Sequence, residues 1–253
     1  MHLRKKNRAA PAQFFFPVMK DYKMGFFSEI WELLSSSKYM GMLFSGLGTT
    51  FLVSVFAAIL GLLLGTIVAL VVIMPDSGWM KIPKAICKIY VTVIRGTPMA
   101  LQLFIMMYAI FAIRGFPSEI TAIIAFGINS GAYVSESIRG GILSVDIGQT
   151  EASRALGLPS GVTLRKIVIP QAIKNVIPAI GNELIALIKE TSIVSMIGMY
   201  DLTQAAKVIG AGNNMASYIV PMSVAACFYL AIVYALTFAI KAIEKRLRAG
   251  DRR

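Results

Sequence analysis

Apolar residues along this chain neither alternate nor keep to a narrow stripe; they gather into runs long enough to fill a bilayer. A hydrocarbon core about 30 Å thick takes roughly 20 residues of helix at 1.5 Å each. Five runs reach that length: Phe51 to Met74, Tyr90 to Ile113, Ile120 to Ile138, Val176 to Met199 and Ile219 to Ile240. They predict an all-α, polytopic membrane protein of about five transmembrane helices. The first run carries Gly61 and Gly65 at the small-xxx-small spacing that lets helices approach closely, and so predicts a packing face. The second opens on Arg95, Gly96, Thr97 and Pro98, a polar and bendable entry. Asn129, Ser130 and Gly131 interrupt the third, with Gly131 expected at a close helix crossing. Ahead of the runs, Phe26 to Met40 places Phe26, Phe27, Ile30, Trp31 and Leu34 on one helical stripe, opposite Glu29, Glu32 and Ser36. That pattern suits a helix lying in the membrane interface, a buried amphipathic helix being the alternative. The stretch Phe14 to Met19 is short, broken by Pro17 and lacks a small-residue cleavage site, so no cleavable signal is read there. Without repeats or low-complexity linkers, the expected partition is a tail with its interfacial helix (1–45), one membrane domain (46–248) and a cytoplasmic tail (249–253).

Composition agrees: of 253 residues, 57% are hydrophobic and 15% charged, and mean hydropathy is +0.71. A soluble domain carries about 25% charged residues. The net charge of +12 could suggest nucleic acid, but nucleic-acid-binding domains do not carry repeated bilayer-length runs. Cys87, Cys227 and the single His2 cannot assemble a metal site, a disulfide scaffold or a Ser/His or Cys/His catalytic pair. The charge is instead topological. Lys81, Lys84 and Lys88 follow the first run, Arg139, Arg154, Arg165, Lys166 and Lys174 follow the third, and six more Lys and Arg follow the fifth. The opposite loops hold only Arg114 and Lys207, so the basic side is assigned to the cytoplasm. Five spans then put the N-terminus outside, against the rule, because the tail carries Arg4, Lys5, Lys6, Arg8, Lys20, Lys23 and Lys38.

The loop after the third run reads as helix, turn, helix. Asp146 and Glu151 stand toward the start of a short helix, Gly157 permits a sharp turn, and Pro170 restricts entry into the next segment. Glu151-Ala152-Ser153-Arg154-Ala155-Leu156-Gly157, then nine residues, then Ile167-Val168-Ile169-Pro170, resembles the EAA loop of permease subunits of ABC importers, E-A-A-x3-G-x9-I-x-L-P, with Ser153 and Ile169 as departures. Around it, Ile94 to Pro98 with Gln102, Asn129 to Tyr133 with Glu136, Arg139-Gly140-Gly141, Gly148-Gln149 and Lys189 to Ser192 are similar to the polar amino-acid subfamily, over about Gly46 to Arg248.

The resemblance implies a multi-pass permease of the bacterial cell (inner) membrane. It implies pairing with a second copy or a homologue, two ATP-binding subunits and an extracytoplasmic amino-acid-binding protein. Glu151, Ala152, Gly157, Ile167 and Pro170 would couple to the ATPase, through a helix around Ser144 to Leu158 that moves as ATP closes the two ATPase subunits. No G-x-x-x-x-G-K-[ST] occurs, so ATP and Mg belong to partner subunits and no cofactor is expected on this chain. Gly157→Asp should uncouple the chain by adding bulk and charge at the turn.

Ionisable residues inside a span point to function. At 100° per residue, Asn182, Glu183, Ala186, Lys189 and Glu190 form one polar arc, and counted from about Val176, Glu183 and Lys189 straddle the middle of the bilayer. Neither acid is three or four residues from Lys189, so their partners lie elsewhere. An acid for the ammonium and a lysine for the carboxylate would suit a zwitterionic amino acid; structural pairing with another helix or a dimer mate is the competing reading. Arg95 and Gln102, seven residues apart, share a face, as do Asn129, Tyr133 and Glu136, and both sets are pathway candidates, with polar helix packing (Asn129, Glu136) and a cytoplasmic-end anchor (Arg95) as alternatives. A self-sufficient ion-coupled carrier or channel is the alternative function, though no inverted repeat supports it. Arginine, glutamine and cystine all remain open as substrates.

Overall fold

A computed structural model of the chain describes residues 15–212 and 218–249, with side chains described from Gly25 onward. Arg4, Lys5, Lys6, Arg8 and His2, and residues 250–253 of the basic tail, lie outside the described residues. Helix α1 (Phe15–Ser35) ends where Ser36 caps α2 (Ser37–Ile73), its hydroxyl accepting from the Tyr39 amide at 3.4 Å. The helix expected over Phe26 to Met40 therefore stops at Ser35, and the first long apolar helix begins at Ser37 rather than Phe51. Hydropathy alone set the later start, since Ser36 and Ser37 are polar; the cap, a local hydrogen bond, decides the boundary. In α1, Phe27 and Trp31 are exposed while Leu33, outside the expected stripe, is fully buried against Leu43, Leu202 and α10 (Ile219–Arg248).

Helix α5 (Ser118–Leu143) runs unbroken through Asn129, Ser130 and Gly131, whose interruption is one of composition only. It lies along α2 on a seam of glycines. A Cβ at Gly61 would stand 2.8 Å from the Ser130 Cβ, and one at Gly65 would stand 2.7 Å from the Gly131 carbonyl oxygen. In return, a Cβ at Gly131 would meet the Tyr90 hydroxyl at 2.9 Å, and one at Gly127 would meet Leu60. Both expected glycine contacts are thus present, because removing Cβ atoms is what lets two backbones come this close.

The second run is not one helix. α3 (Lys81–Arg95) and α4 (Met99–Ile105), the latter continued by a wider π turn over 106–110, meet at a bend of 108°. Gly96 to Pro98 form the corner, since Pro98 disfavours helix at the residue before it. α3 begins inside what reads as a basic loop because its apolar residues, Ile82, Ile86, Ile89 and Val93, fall on one exposed stripe too short to register as a span.

α6 (Ile147–Ala155) and the short α7 (Ser160–Thr163) form the expected loop, and a π turn over 164–168 leads into α8 (Ile169–Glu190). α8 starts before Val176 and ends before Met199, giving way to a tighter 3-10 turn at Thr191–Ile197 that closes on Gly198 at φ +78°. Lys189 consequently sits in the last turn of α8 instead of near its middle. α9 (Leu202–Ala211) buries Leu202, Ala205, Ala206 and Ile209 in the core, and α10 extends to Arg248 rather than Ile240.

Among the described residues only α2 and α10 are long and apolar enough to cross a membrane singly, with the bent α3–α4 pair as a third candidate. α5 and α8, at 26 and 22 residues, have the length but carry polar side chains.

Candidate functional site

The polar residues of α5 and α8 meet where the glycine seam draws the helices together. Glu183 is half-buried, with Ser130, Arg95 and Glu190 near enough to act on its carboxyl. Asn182, Lys189 and Glu190 are exposed, and neither Lys189 nor Glu190 has an ion pair among the described residues. The polar arc of α8 thus has one half-buried member, Glu183, and three exposed ones, of which Lys189 and Glu190 are near enough to act on each other. Lys189 also stands where the negative end of the helix dipole favours a cation.

Gln102 and Asn129 come together in another way. The Asn129 side-chain amide donates to Gln102 Oε1 at 3.0 Å, while Gln102 Nε2 donates to the carbonyls of Ile94 (2.8 Å) and Thr97 (3.1 Å) and to Thr97 Oγ1 (2.7 Å). Gln102 therefore does not share a helix face with Arg95: the corner intervenes, and Gln102 folds back to satisfy carbonyls that the break leaves without helical partners. The face expected for Asn129, Tyr133 and Glu136 holds, because α5 is continuous. Glu136 takes a two-pronged pair from Arg139 (Nε and Nη2, both 2.9 Å) and a longer contact from Arg95 at 3.5 Å. The Arg95 guanidinium lies 5.2 Å from the Tyr133 ring centre, which adds a cation–π contact.

At the far end of α5, Asp146 caps α6 by accepting from the Gly148 amide at 2.7 Å. Gly157 adopts φ +74°, the left-handed conformation the turn demands. A Cβ there would meet nothing within 4 Å, so bulk is not what a substitution adds; the cost is backbone strain. Glu151 and Ala152 are exposed, as are Ile147, Leu156 and Leu143, whereas Ser153 is buried and donates to the Gln149 carbonyl at 2.6 Å. Ile167 and Pro170 sit at the junction into α8. Asn175 donates to Ser144 at 2.9 Å and ties α8 to the base of this projection. In the loop before α3, the Lys84 ammonium 2.5 Å from Asp76 holds that carboxyl below its usual range.

A second buried polar cluster is absent from the sequence reading. Asp201, with no exposed surface, caps α9 through the Gln204 amide (2.8 Å), and Tyr229 donates to its other oxygen at 3.4 Å. Thr50 of α2 accepts from the Leu202 amide at 3.2 Å in the same place. The signal was available, for Asp201 directly precedes the helical spacing of Leu202, Ala205, Ala206 and Ile209.

Residues 61–249 match the family described as binding-protein-dependent transport system inner membrane component. The arginine transport system permease protein of Bacillus subtilis is 40% identical over 208 residues, covering 81% of this chain and 92% of that protein. A putative glutamine transport system permease protein of Rickettsia typhi is 39% identical over 197 residues, covering 77% and 87%. The crystal structure of an amino acid ABC transporter with histidines superposes with a TM-score of 0.76 at 37% identity, covering 85% of this chain and 98% of that one.

Proposed function

The chain belongs to the inner-membrane components of binding-protein-dependent transport systems, and from that premise we propose that it is the permease subunit of an ATP-driven amino-acid importer. It forms the pathway with a second copy or a homologue, receives cargo from an extracytoplasmic binding protein, and takes its power from two ATP-binding subunits that hold the ATP and Mg. α2, the α3–α4 pair, α5, α8 and α10 serve as its spans, with the N-terminus outside and the C-terminus cytoplasmic.

The observation that carries the reading is the projection at the end of α5. α6 stands on the Gly157 turn with Glu151, Ile147 and Leu156 exposed, and a short helix that leaves apolar side chains this exposed beside an acid is suited to docking into another subunit. Ile167 and Pro170 carry its motion into α8, whose Glu183, Asn182, Lys189 and Glu190 hold the amino acid, with the Gln102–Asn129 pair fixing the wall of the pathway. A zwitterion needs an anion and a cation in reach, and α8 offers both in Glu190 and Lys189, which are exposed and make no ion pair among the described residues.

The test is a mild-detergent pull-down of the tagged chain from its own membrane beside Gly157→Asp. An ATPase subunit should co-purify with the wild type and be depleted with the variant, while both insert equally. Loss of ATPase from neither would remove the coupling assignment. Cargo flux through the purified chain alone in liposomes would establish a self-sufficient carrier or channel instead.

A further inference from the structure

On the same side as α6, α2, α3 and α5 diverge around a cavity of ≈ 300 Å³. Ala69 and Val72 of α2 line it, with Thr92 of α3 and Ser135 of α5, and Lys88, Arg95 and Arg139 set three cations against one acid, Glu136. Glu136 is already committed. Arg139 grips both of its oxygens and Arg95 adds a contact, so the carboxylate faces the cavity with its charge offset twice over. What stays unspent is positive: Lys88 Nζ is exposed and has no hydrogen bond or ion pair among the described residues, and the same holds for the Thr92 hydroxyl and for Arg139 Nη1. Lys84, the neighbouring cation on α3, is taken by Asp76, a carboxyl that Lys88 reaches only at longer range.

We infer that this cavity is an anion site for a phosphate group, carried in on a phospholipid headgroup or free in solution. A tetrahedral dianion or diester can accept from an ammonium, a guanidinium edge and a hydroxyl that converge from two helices, and the volume admits one such group. Basic pockets between helices near the membrane surface are suited to lipid headgroups. The setting fits that source, since Ile82, Ile86, Ile89 and Val93 along α3, and Trp79 in the turn before it, are exposed outside the cavity and would lie against acyl chains, as Leu63 and Ile67 of α2 would. No residue of the α8 arc lines the cavity, and although its Arg95 also reaches Glu183 electrostatically, Lys88 and Thr92 belong to the cavity and not to the arc.

The experiment uses the full chain purified with its co-isolating subunits. The sample is equilibrated with equal phosphatidylglycerol and phosphatidylcholine, and retained lipid is counted by native mass spectrometry. Retained phosphatidylglycerol should fall about five-fold in Lys88→Gln, the worth of one basic contact near a membrane surface. Lys81→Gln, on the same helix but not lining the cavity, should leave it unchanged; both lysines are exposed, so neither variant threatens the fold. In a parallel arm, inorganic phosphate is titrated into the lipid-depleted sample and followed by phosphorus NMR. Broadening that Lys88→Gln abolishes, without preference for phosphatidylglycerol, assigns the site to the free ion. Equal losses in Lys81→Gln and Lys88→Gln, or no binding in either arm, would overturn the inference.

Discussion

Glu183 is the residue at which structure and transport are hardest to separate, because it is half-buried beside Ser130 and within electrostatic reach of both Arg95 and Glu190. The two roles respond differently to substitution. If the carboxylate holds cargo, Glu183→Gln keeps a partner for Ser130 but loses the charge, and uptake should drop about tenfold or more, the scale of a charge-assisted hydrogen bond. Lys189→Ala should do the same, with both variants still assembling. Uptake that survives Glu183→Gln but not Glu183→Ala would mark the residue as a helix-packing contact. The polarity of this arc was legible in the sequence, since it needs only the wheel of one helix. The fate of Gln102 was not: its bonds run to Ile94 and Thr97 across a corner that a wheel drawn on one continuous helix cannot represent.

Among elements, those marked by hydropathy or by a local cap or turn could be read, and those held only by tertiary packing could not. α2 and α10 announce themselves through hydropathy, and the α6 projection through Asp146 and Gly157, which act locally. α9 went unseen because 10 residues cannot span a bilayer, and its reason for existing is tertiary: a buried face against α2 and α10 and a cap supplied by Asp201. Asp201→Ala should therefore lower thermal stability in detergent by about 0.5–2 kcal/mol for the lost cap, and by more where the Tyr229 hydroxyl loses its acceptor. Asp201→Asn, which keeps an acceptor for the Gln204 amide, should recover most of it. A melting temperature unmoved by Asp201→Ala would mean that α9 is held by its apolar face alone. The break at Gly96 to Pro98 lies between these cases. Its bendability is written in the residues, but the size of the bend, 108°, is fixed by the Gln102 bonds and by Tyr90, which donates to the Ile128 carbonyl at 2.5 Å.

At the scale of the whole chain, the glycine seam decides which pieces move together. Gly61, Gly65, Gly127 and Gly131 lock α2 to α5 with no room for a side chain, so the pair is one body, and the corner before α4 and the 3-10 turn after α8 are the joints left to it. Gly65→Val should force the helices apart, at a cost of about 1–3 kcal/mol or more for overpacking, and be seen as protease-sensitive or aggregated protein in the membrane. A fully folded Gly65→Val variant would show the seam to be pliable. The seam also bears on biogenesis. α2 leaves the ribosome first and is apolar enough to reside in lipid unaccompanied, whereas α5, with Asn129, Glu136 and Arg139 along it, does not qualify by its own hydropathy. With α5 as one of the proposed spans, the groove of small residues on α2 becomes a waiting berth: α5 would enter the bilayer against a helix already there, its polar backbone crossing shielded from lipid as it arrives. The order of synthesis is thereby an order of assembly, and a mutation that closes the berth strands the later helix at the moment of insertion.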